Sequence, residues 1–299
     1  MKKDFEKNIS LMYGTISLIL VFFSYFFDLI NEKIFTYSLL VFLVVLFGFP
    51  HGALDSLVAK RNKIFNSFLG FIFFNLAYLT TAITIFFIWN NFPLSSLIIF
   101  LIISAWHFSE DWNKKLDLFK RLVLGMTIVN LPTFFYSSEI YLIYNMLVKN
   151  NDAGVTNLLN FQEYLMYLLF ALLFFVFISN LKSKILLIQI IIIFFSSILL
   201  HPIYYFISYF CFFHSIKNFR ETLVELEEKK NKTILFLIIN TLLTIIFGFV
   251  LFFYFMEGHL IKKLTGITFI GLASLTVPHM LLRLLINNKK ILPFQKSWH

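Results

Sequence analysis

The sequence predicts an all-α integral membrane protein: a polytopic bundle of about ten transmembrane segments that forms a single transmembrane domain over residues 1–299. Hydrophobic residues make up 59% of the chain and charged residues only 14%, and the mean hydropathy is +0.83. A soluble domain of this length could not bury so much apolar side chain, whereas lipid-facing helices need not bury it. The apolar runs are about 17–25 residues long, which is the length that crosses a hydrocarbon core of ~30 Å as a helix.

Ten apolar segments follow one another along the chain. In order, they cover residues 9–28, 34–58, 64–89, 93–109, 118–136, 162–180, 185–200, 202–216, 233–256 and 264–287. The seventh and eighth are separated by His201-Pro202, where a tight turn and a kink in one long helix both fit, because proline removes a backbone donor and restricts the preceding residue. The longest connection, about 137–161, is predicted to be a loop because Asn, Asp and Gly cluster at 150–154.

The basic residues predict the orientation of the segments. If the N-terminus is cytoplasmic, 21 of the 25 Lys and Arg residues lie on the inner side, and the outer side holds only Lys33, Lys149, Lys262 and Lys263. An excess of basic residues marks the cytoplasmic side, so both termini are predicted to be cytoplasmic in the cell (inner) membrane. An unbroken helix over residues 185–216 would largely remove this asymmetry of basic residues between the two sides. Orientation also explains the net charge of +9, so no nucleic-acid partner is expected.

Four of the seven histidines lie inside apolar segments, near the inner end of each: His51, His107, His214 and His279. An ionisable ring in a membrane span is costly and usually marks function. Each of these histidines alone is a weak signal, but their shared depth on four helices lets them converge in the bundle core. A cluster of imidazoles predicts a transition-metal site. The one cysteine, Cys211, excludes an internal disulfide and a cysteine-cluster site.

Carboxylates are predicted to support this site: Asp55, and Asp111 or Glu110. Asp55 and Asp111 each lie four residues after a candidate ligand, His51 and His107 respectively. A carboxylate one helical turn away can orient an imidazole by accepting a hydrogen bond from its second ring nitrogen. The alternative interpretation makes Asp55 a charge at the inner end of a span and places Asp111 in a solvated loop at residues 110–115.

Four blocks of sequence resemble the Brp/Blh family of bacterial and archaeal β-carotene 15,15′-dioxygenases. They are GFPHGALD at 48–55, SAWHFSEDW at 104–112, HPIYYFISYFCFFHS at 201–215 and TVPHM at 276–280. The resemblance covers about residues 40–285, and the spacing between the blocks fits the family. Members are integral membrane, iron-dependent enzymes that split β-carotene at its central double bond into two retinals. The resemblance therefore implies Fe²⁺ as cofactor, a carotenoid and O₂ as substrates, membrane lipid as the surroundings, and a rhodopsin as acceptor of retinal.

The resemblance also implies iron ligands, and one of them is missing here. Three of the family's four histidines fall on His51, His107 and His214. The fourth falls on Asn218, and Lys217 stands where the family has arginine. The predicted topology favours His279 as the fourth ligand, because it lies within a span while Asn218 is expected at the inner water boundary.

Aromatic side chains near these histidines are predicted to wall the path of a carotenoid that enters sideways between helices. They are Trp106, Phe108, Tyr209, Phe212 and Phe213.

Two other classes of function fit the sequence. A metal- or proton-linked transporter would line a polar pathway with histidines, although no inverted repeat is visible and the histidines share one depth. A non-catalytic membrane protein that binds a carotenoid or retinal and supplies an opsin is favoured by the loss at Asn218. The metal content of the purified protein would separate the enzyme from the binding protein.

Overall fold

Helices make up the regular structure of the chain in this computed structural model, which describes residues 2–27, 32–112, 115–148, 151–226 and 230–291. Side chains are described for these residues except 2–4, 50, 51, 230–232, 254 and 288–291. The helices in the described ranges are α1 (Lys2–Phe26), α2 (Lys33–Leu43), α3 (Phe49–Gly52), α4 (Asp55–Arg61), α5 (Phe68–Asn91), α6 (Pro93–Ser109), α7 (Leu118–Phe135), α8 (Ser137–Val148), α9 (Asp152–Ser179), α10 (Lys184–Leu199), α11 (Pro202–Phe206), α12 (Ile216–Leu226), α13 (Lys230–Tyr254) and α14 (Leu260–Ile291).

Three short helices of other types join these elements. A π-helix, Val44–Gly48, connects α2 to α3, and a second one, Ile207–Ser215, connects α11 to α12. A 3₁₀-helix, Glu110–Trp112, extends α6. π-helical turns are rare and often occur at functional sites. Here the second π-helix carries His214, and the first ends three residues before His51.

The predicted all-α membrane class is confirmed. Among the described residues, seven helices are long and apolar enough to cross a membrane: Phe5–Phe26, Phe68–Asn91, Pro93–Trp112, Leu118–Phe135, Asp152–Ser179, Thr233–Phe253 and Leu260–Asn287. Two shorter apolar helices are Lys33–Gly48 and Lys184–Leu199. The count of ten transmembrane segments therefore stays a prediction.

The chain breaks where the His201-Pro202 dipeptide indicated. Helix α10 ends at Leu199, and Leu200 is extended with φ −107° and ψ 135°. His201 then caps α11, since its Nδ1 accepts a hydrogen bond from the Ile203 amide at 3.4 Å, and Pro202 occupies the first helical position. Proline suits that position because its missing N–H would be unbonded there in any case.

The prediction of a loop over 137–161 is wrong. The segment contains α8, and α9 begins at Asp152. The cluster of turn-forming residues caps α9 instead, because Asn151 Oδ1 accepts from the Gly154 amide at 3.1 Å. Helix α8 has an apolar face with helical spacing, formed by Ile140, Ile143, Tyr144 and Leu147, all of which are buried.

Glycine allows two close contacts beside the histidine-bearing elements. A Cβ atom on Gly125 of α7 would overlap the Ala105 carbonyl oxygen, so α6 and α7 touch through their backbones two residues before His107. A Cβ atom on Gly48 would lie 2.7 Å from the ring of Phe210. The two π-helices are therefore packed directly against each other next to the histidines.

Candidate functional site

Three of the four predicted histidines meet in the interior. His107 comes from α6, His214 from the second π-helix and His279 from α14, and all three side chains are buried. Nε2 of His107 lies 3.0 Å from Nε2 of His214. The ring centroid of His107 is 4.6 Å from that of His214 and 5.2 Å from that of His279. Imidazoles from three elements that are distant in sequence thus share one location.

Two aspartates hold two of these rings. Asp111 Oδ2 lies 3.0 Å from His214 Nδ1. The Asp55 oxygens lie 2.8 and 3.0 Å from His279 Nδ1. Because an ionised carboxylate can only accept, each Nδ1 carries the proton, and Nε2 of the neutral ring keeps its lone pair. This is how carboxylates orient histidines that bind metals.

A tyrosine holds each aspartate in turn. The Tyr209 hydroxyl donates to Asp111 Oδ2 at 2.8 Å, and the Tyr78 hydroxyl donates to Asp55 Oδ2 at 2.9 Å. The site therefore contains two similar Tyr–Asp–His units built from different helices. Nothing in the sequence singled out Tyr78, since a lone tyrosine in an apolar span is a common feature.

Of the two carboxylates predicted as alternatives after His107, Asp111 contacts a different histidine. Asp111 binds His214, and the carboxylate next to His107 is that of Glu110, whose Oε2 is 3.7 Å from His107 Nδ1. The alternative of a solvated loop at 110–115 is wrong for Asp111 and Trp112, which are buried. Residues Glu110–Trp112 form a 3₁₀-helix, so the side-chain directions there differ from those that α-helical spacing predicts.

An apolar cavity extends from the histidines toward the other end of the bundle. It has a volume of about 940 Å³ including the space at its open side, and α6, α7, α8, α11 with its π-helix, and α14 form its wall. His107, Phe108 and Thr276 line the end beside the histidines. Of the five aromatic residues predicted to wall the path, Phe108 and Tyr209 line this cavity, and the described cavity wall does not include Trp106, Phe212 or Phe213.

Comparison with known proteins identifies the family of this chain. Residues 42–287 match the model of the family described as beta-carotene 15,15′-dioxygenase. The chain belongs to the β-carotene 15,15′-dioxygenase family. A protein named beta-carotene 15,15′-dioxygenase, from uncultured marine bacterium 66A03, is 30% identical over 262 residues, which are 80% of this chain and 90% of that protein. No solved structure matches the chain.

In this member of the dioxygenase family, Asn218 faces the site rather than the water boundary where the sequence placed it. Its Nδ2 donates to Asp111 Oδ1 at 3.1 Å and to the His214 carbonyl at 2.9 Å. The reason is helical spacing, since Asn218 lies one turn after His214 and shares its face. Where the family pattern has a histidine, this chain thus has an amide that supports Asp111.

Lys217, which was also expected at the water boundary, is buried. Its Nζ donates to the Asp111 carbonyl oxygen and lies 5.8 Å from the centroid of the Trp112 ring. Burial lowers the pKa of Lys217, and the Asp111 carboxylate opposes this shift. At the family's arginine position, this chain therefore places a basic group beside Asp111, the residue that orients His214.

The remaining predicted ligand is His51. Its backbone belongs to α3, but its side chain lies outside the described residues. Among the side chains that the structure does describe, no group of three or more His, Cys, Asp or Glu residues is arranged so that it could hold a metal ion. The role of all four histidines as ligands stays a prediction.

Proposed function

We propose that this protein cleaves β-carotene at its central 15,15′ double bond with O₂ and releases two molecules of retinal. One observation carries the proposal: an apolar cavity ends at a buried cluster of histidines. The name of the marine relative and the family match support the same reaction. In the overall reaction one C=C bond breaks and two C=O bonds form. Each retinal takes one oxygen atom of O₂, so no other reductant is required.

The chemistry of the donor set fits iron as cofactor. Three imidazoles supply neutral nitrogen donors, which suit Fe²⁺, and aspartates bind the far nitrogen of two of the rings. His107, His214 and His279 would hold the ion, with His51 as the fourth ligand. Bound Fe²⁺ would supply the activation of O₂ that the amino-acid side chains cannot provide.

The protein's own side chains bind, orient and exclude water. Asp55 and Asp111 keep the Nδ1 proton on His279 and His214. The lone pair on Nε2 of each ring therefore stays available to bind the metal ion. The apolar wall aligns the polyene and keeps water from its double bonds. Phe108 and Tyr209 lie beside the histidines, where they contact the part of the polyene to be cleaved. No general acid or base is required for this reaction.

Expression in cells that produce β-carotene, followed by chromatography for retinal, tests the proposal. We expect retinal from the unmodified chain and none from His107→Ala, which removes a candidate ligand. His259→Ala is the matched control, because His259 is exposed and precedes α14 at the opposite end from His279. Normal retinal yield from His107→Ala would contradict the proposed site. Iron content of the purified protein tests the cofactor separately.

The alternative function is that of a non-catalytic protein that binds a carotenoid or retinal. One observation supports it: Asn218 supplies an amide where the family has a histidine. A protein of that kind would bind a carotenoid or retinal, contain no iron and leave β-carotene intact. As an enzyme, the protein would instead release retinal into the membrane for a rhodopsin to accept.

We also propose that the chain lies in the cell membrane with both termini in the cytoplasm. The support is the distribution of basic residues, of which 21 of 25 fall on the inner side in this orientation.

A further inference from the structure

Helix α8 lines the end of the cavity that lies opposite the histidines. With 12 residues it is about 18 Å long, too short to cross a membrane core of ~30 Å. Among its contacts, Trp89 Nε1 donates to the Leu147 carbonyl at 3.1 Å, and Thr265 Oγ1 lies 3.8 Å from Met146 Sδ. Trp89 belongs to the last turn of α5 and Thr265 to the second turn of α14, so both contacts are at the same end of the bundle.

The distance from the histidines to this end can be measured along α6. Leu97 and His107 both line the cavity, and the ten residues that separate them advance the helix by about 15 Å. Leu97 is in the second turn of α6, at the end where α8 lies. The buried face of α8, with Ile143, Tyr144 and Leu147, also lines the cavity.

This distance matches one half of β-carotene. An extended chain advances about 1.2 Å per bond, as a peptide does with three bonds and ~3.6 Å per residue. Nine bonds join a carbon of the central double bond to the ring, which gives about 11 Å, and the ring adds roughly 4 Å. The half-molecule is therefore about 15 Å long.

We propose that α8 is the stop of a molecular ruler that selects the bond to be cleaved. The ring of one half of β-carotene abuts Ile143, Tyr144 and Leu147, which places the central double bond beside His107. The other half of the molecule then lies outside this cavity. This inference rests on the proposed function and adds to it the residues that determine which double bond is cleaved.

If the distance between α8 and His107 sets the cleaved bond, a longer distance should shift cleavage to a specific neighbouring double bond. Adjacent double bonds of the polyene are two bonds apart, or about 2.4 Å. Leu147→Ala removes the outer part of the side chain and retracts the stop by two bonds, again about 2.4 Å. The ring then enters one double bond deeper, and the neighbouring double bond of the other half lies beside His107. Its cleavage gives a longer aldehyde and a shorter methyl ketone, each with one oxygen atom of O₂, instead of two identical aldehydes.

The experiment compares the products of the unmodified chain, Leu147→Ala and Leu142→Ala in β-carotene-producing cells, with mass spectrometry of the carbonyl products. Leu142→Ala is the matched control because Leu142 is on the same helix but 54% exposed, facing away from the cavity. We expect the unequal pair from Leu147→Ala, and retinal alone from the control and the unmodified chain. Leu147→Val, a smaller change, should give a smaller share of the unequal pair and provides the test if the alanine variant does not fold.

The outcomes separate the two proposals. Retinal as the sole product of both Leu147 variants, with the unmodified chain also active, would overturn the ruler and leave the proposed function intact. Absence of any cleavage product from the unmodified chain would overturn the proposed function and the ruler with it.

Discussion

Replacing Tyr78 with phenylalanine removes one hydroxyl group and leaves the ring in place. That hydroxyl donates to Asp55 Oδ2 at 2.9 Å, and Asp55 holds Nδ1 of His279 at 2.8 Å. Its second contact, with the Leu275 carbonyl at 3.4 Å, is longer, so the carboxylate is its main acceptor. We expect Tyr78→Phe to weaken iron binding without unfolding the protein, because the change affects the orientation of a ligand rather than the packing of helices.

The size of this effect follows from the kind of hydrogen bond that is lost. A hydrogen bond to a charged group contributes about 1.5–3 kcal/mol. A loss of about 1.4 kcal/mol in binding free energy corresponds to a tenfold change in affinity. Tyr78→Phe should therefore lower the affinity for Fe²⁺ by roughly ten- to a hundredfold, which is the range found for side chains that support metal ligands.

The assay is iron retention by the purified protein against a competing chelator, together with retinal yield. Tyr164→Phe serves as control, since Tyr164 is 75% exposed on α9. Tyr209→Phe should resemble Tyr78→Phe because Tyr209 supports Asp111 in the same way. An iron affinity of Tyr78→Phe equal to that of the control would refute the view that the Tyr–Asp–His units position metal ligands.

Three further predictions concern other parts of the molecule. His279→Ala should lose iron and retinal formation, whereas Asn218→Ala should lose less of both, because Asp111 keeps its bonds to Tyr209 and His214; iron content and retinal yield measure this. Gly125→Ala should lower the free energy of unfolding by about 1–3 kcal/mol, seen as a lower midpoint of thermal unfolding, because its Cβ would overlap α6. Reporter fusions after residues 63 and 184 should face the cytoplasm, and one after 149 the outside; an outward reporter at 184 would contradict the orientation.

Much of the fold follows from composition and from the local preferences of individual residues, which can be read from the sequence. The composition requires lipid-facing helices, and His201-Pro202 ends one helix and begins the next because of proline's fixed geometry. Helix α8 was not predicted, and the reason is physical. It is shorter than a span, and the Asn and Gly residues after it resemble a loop although they cap α9.

The convergence of the three histidines could be predicted from the sequence. Which carboxylate binds which histidine could not. Basic residues place His107, His214 and His279 at one depth, and helices that cross a membrane bring equal depths together. The pairing of Asp111 with His214 depends on a 3₁₀-helix and a π-helix, which change the direction of a side chain relative to an α-helix. The two π-helices also pack against each other, with Gly48 against Phe210, so their arrangement involves residues that are far apart in the sequence.

The buried charges give a further reason to place a cation at the histidines. Among the described side chains, the fully buried acidic and basic groups are Asp55, Asp111 and Lys217. Buried charges are costly unless opposite charges lie close by. Lys217 offsets one carboxylate, which leaves one negative charge among these groups while the imidazoles are neutral. A divalent cation bound by the imidazoles would reverse the sign of this excess and interact favourably with both carboxylates, so the same two aspartates that orient the rings would also strengthen the binding of the ion.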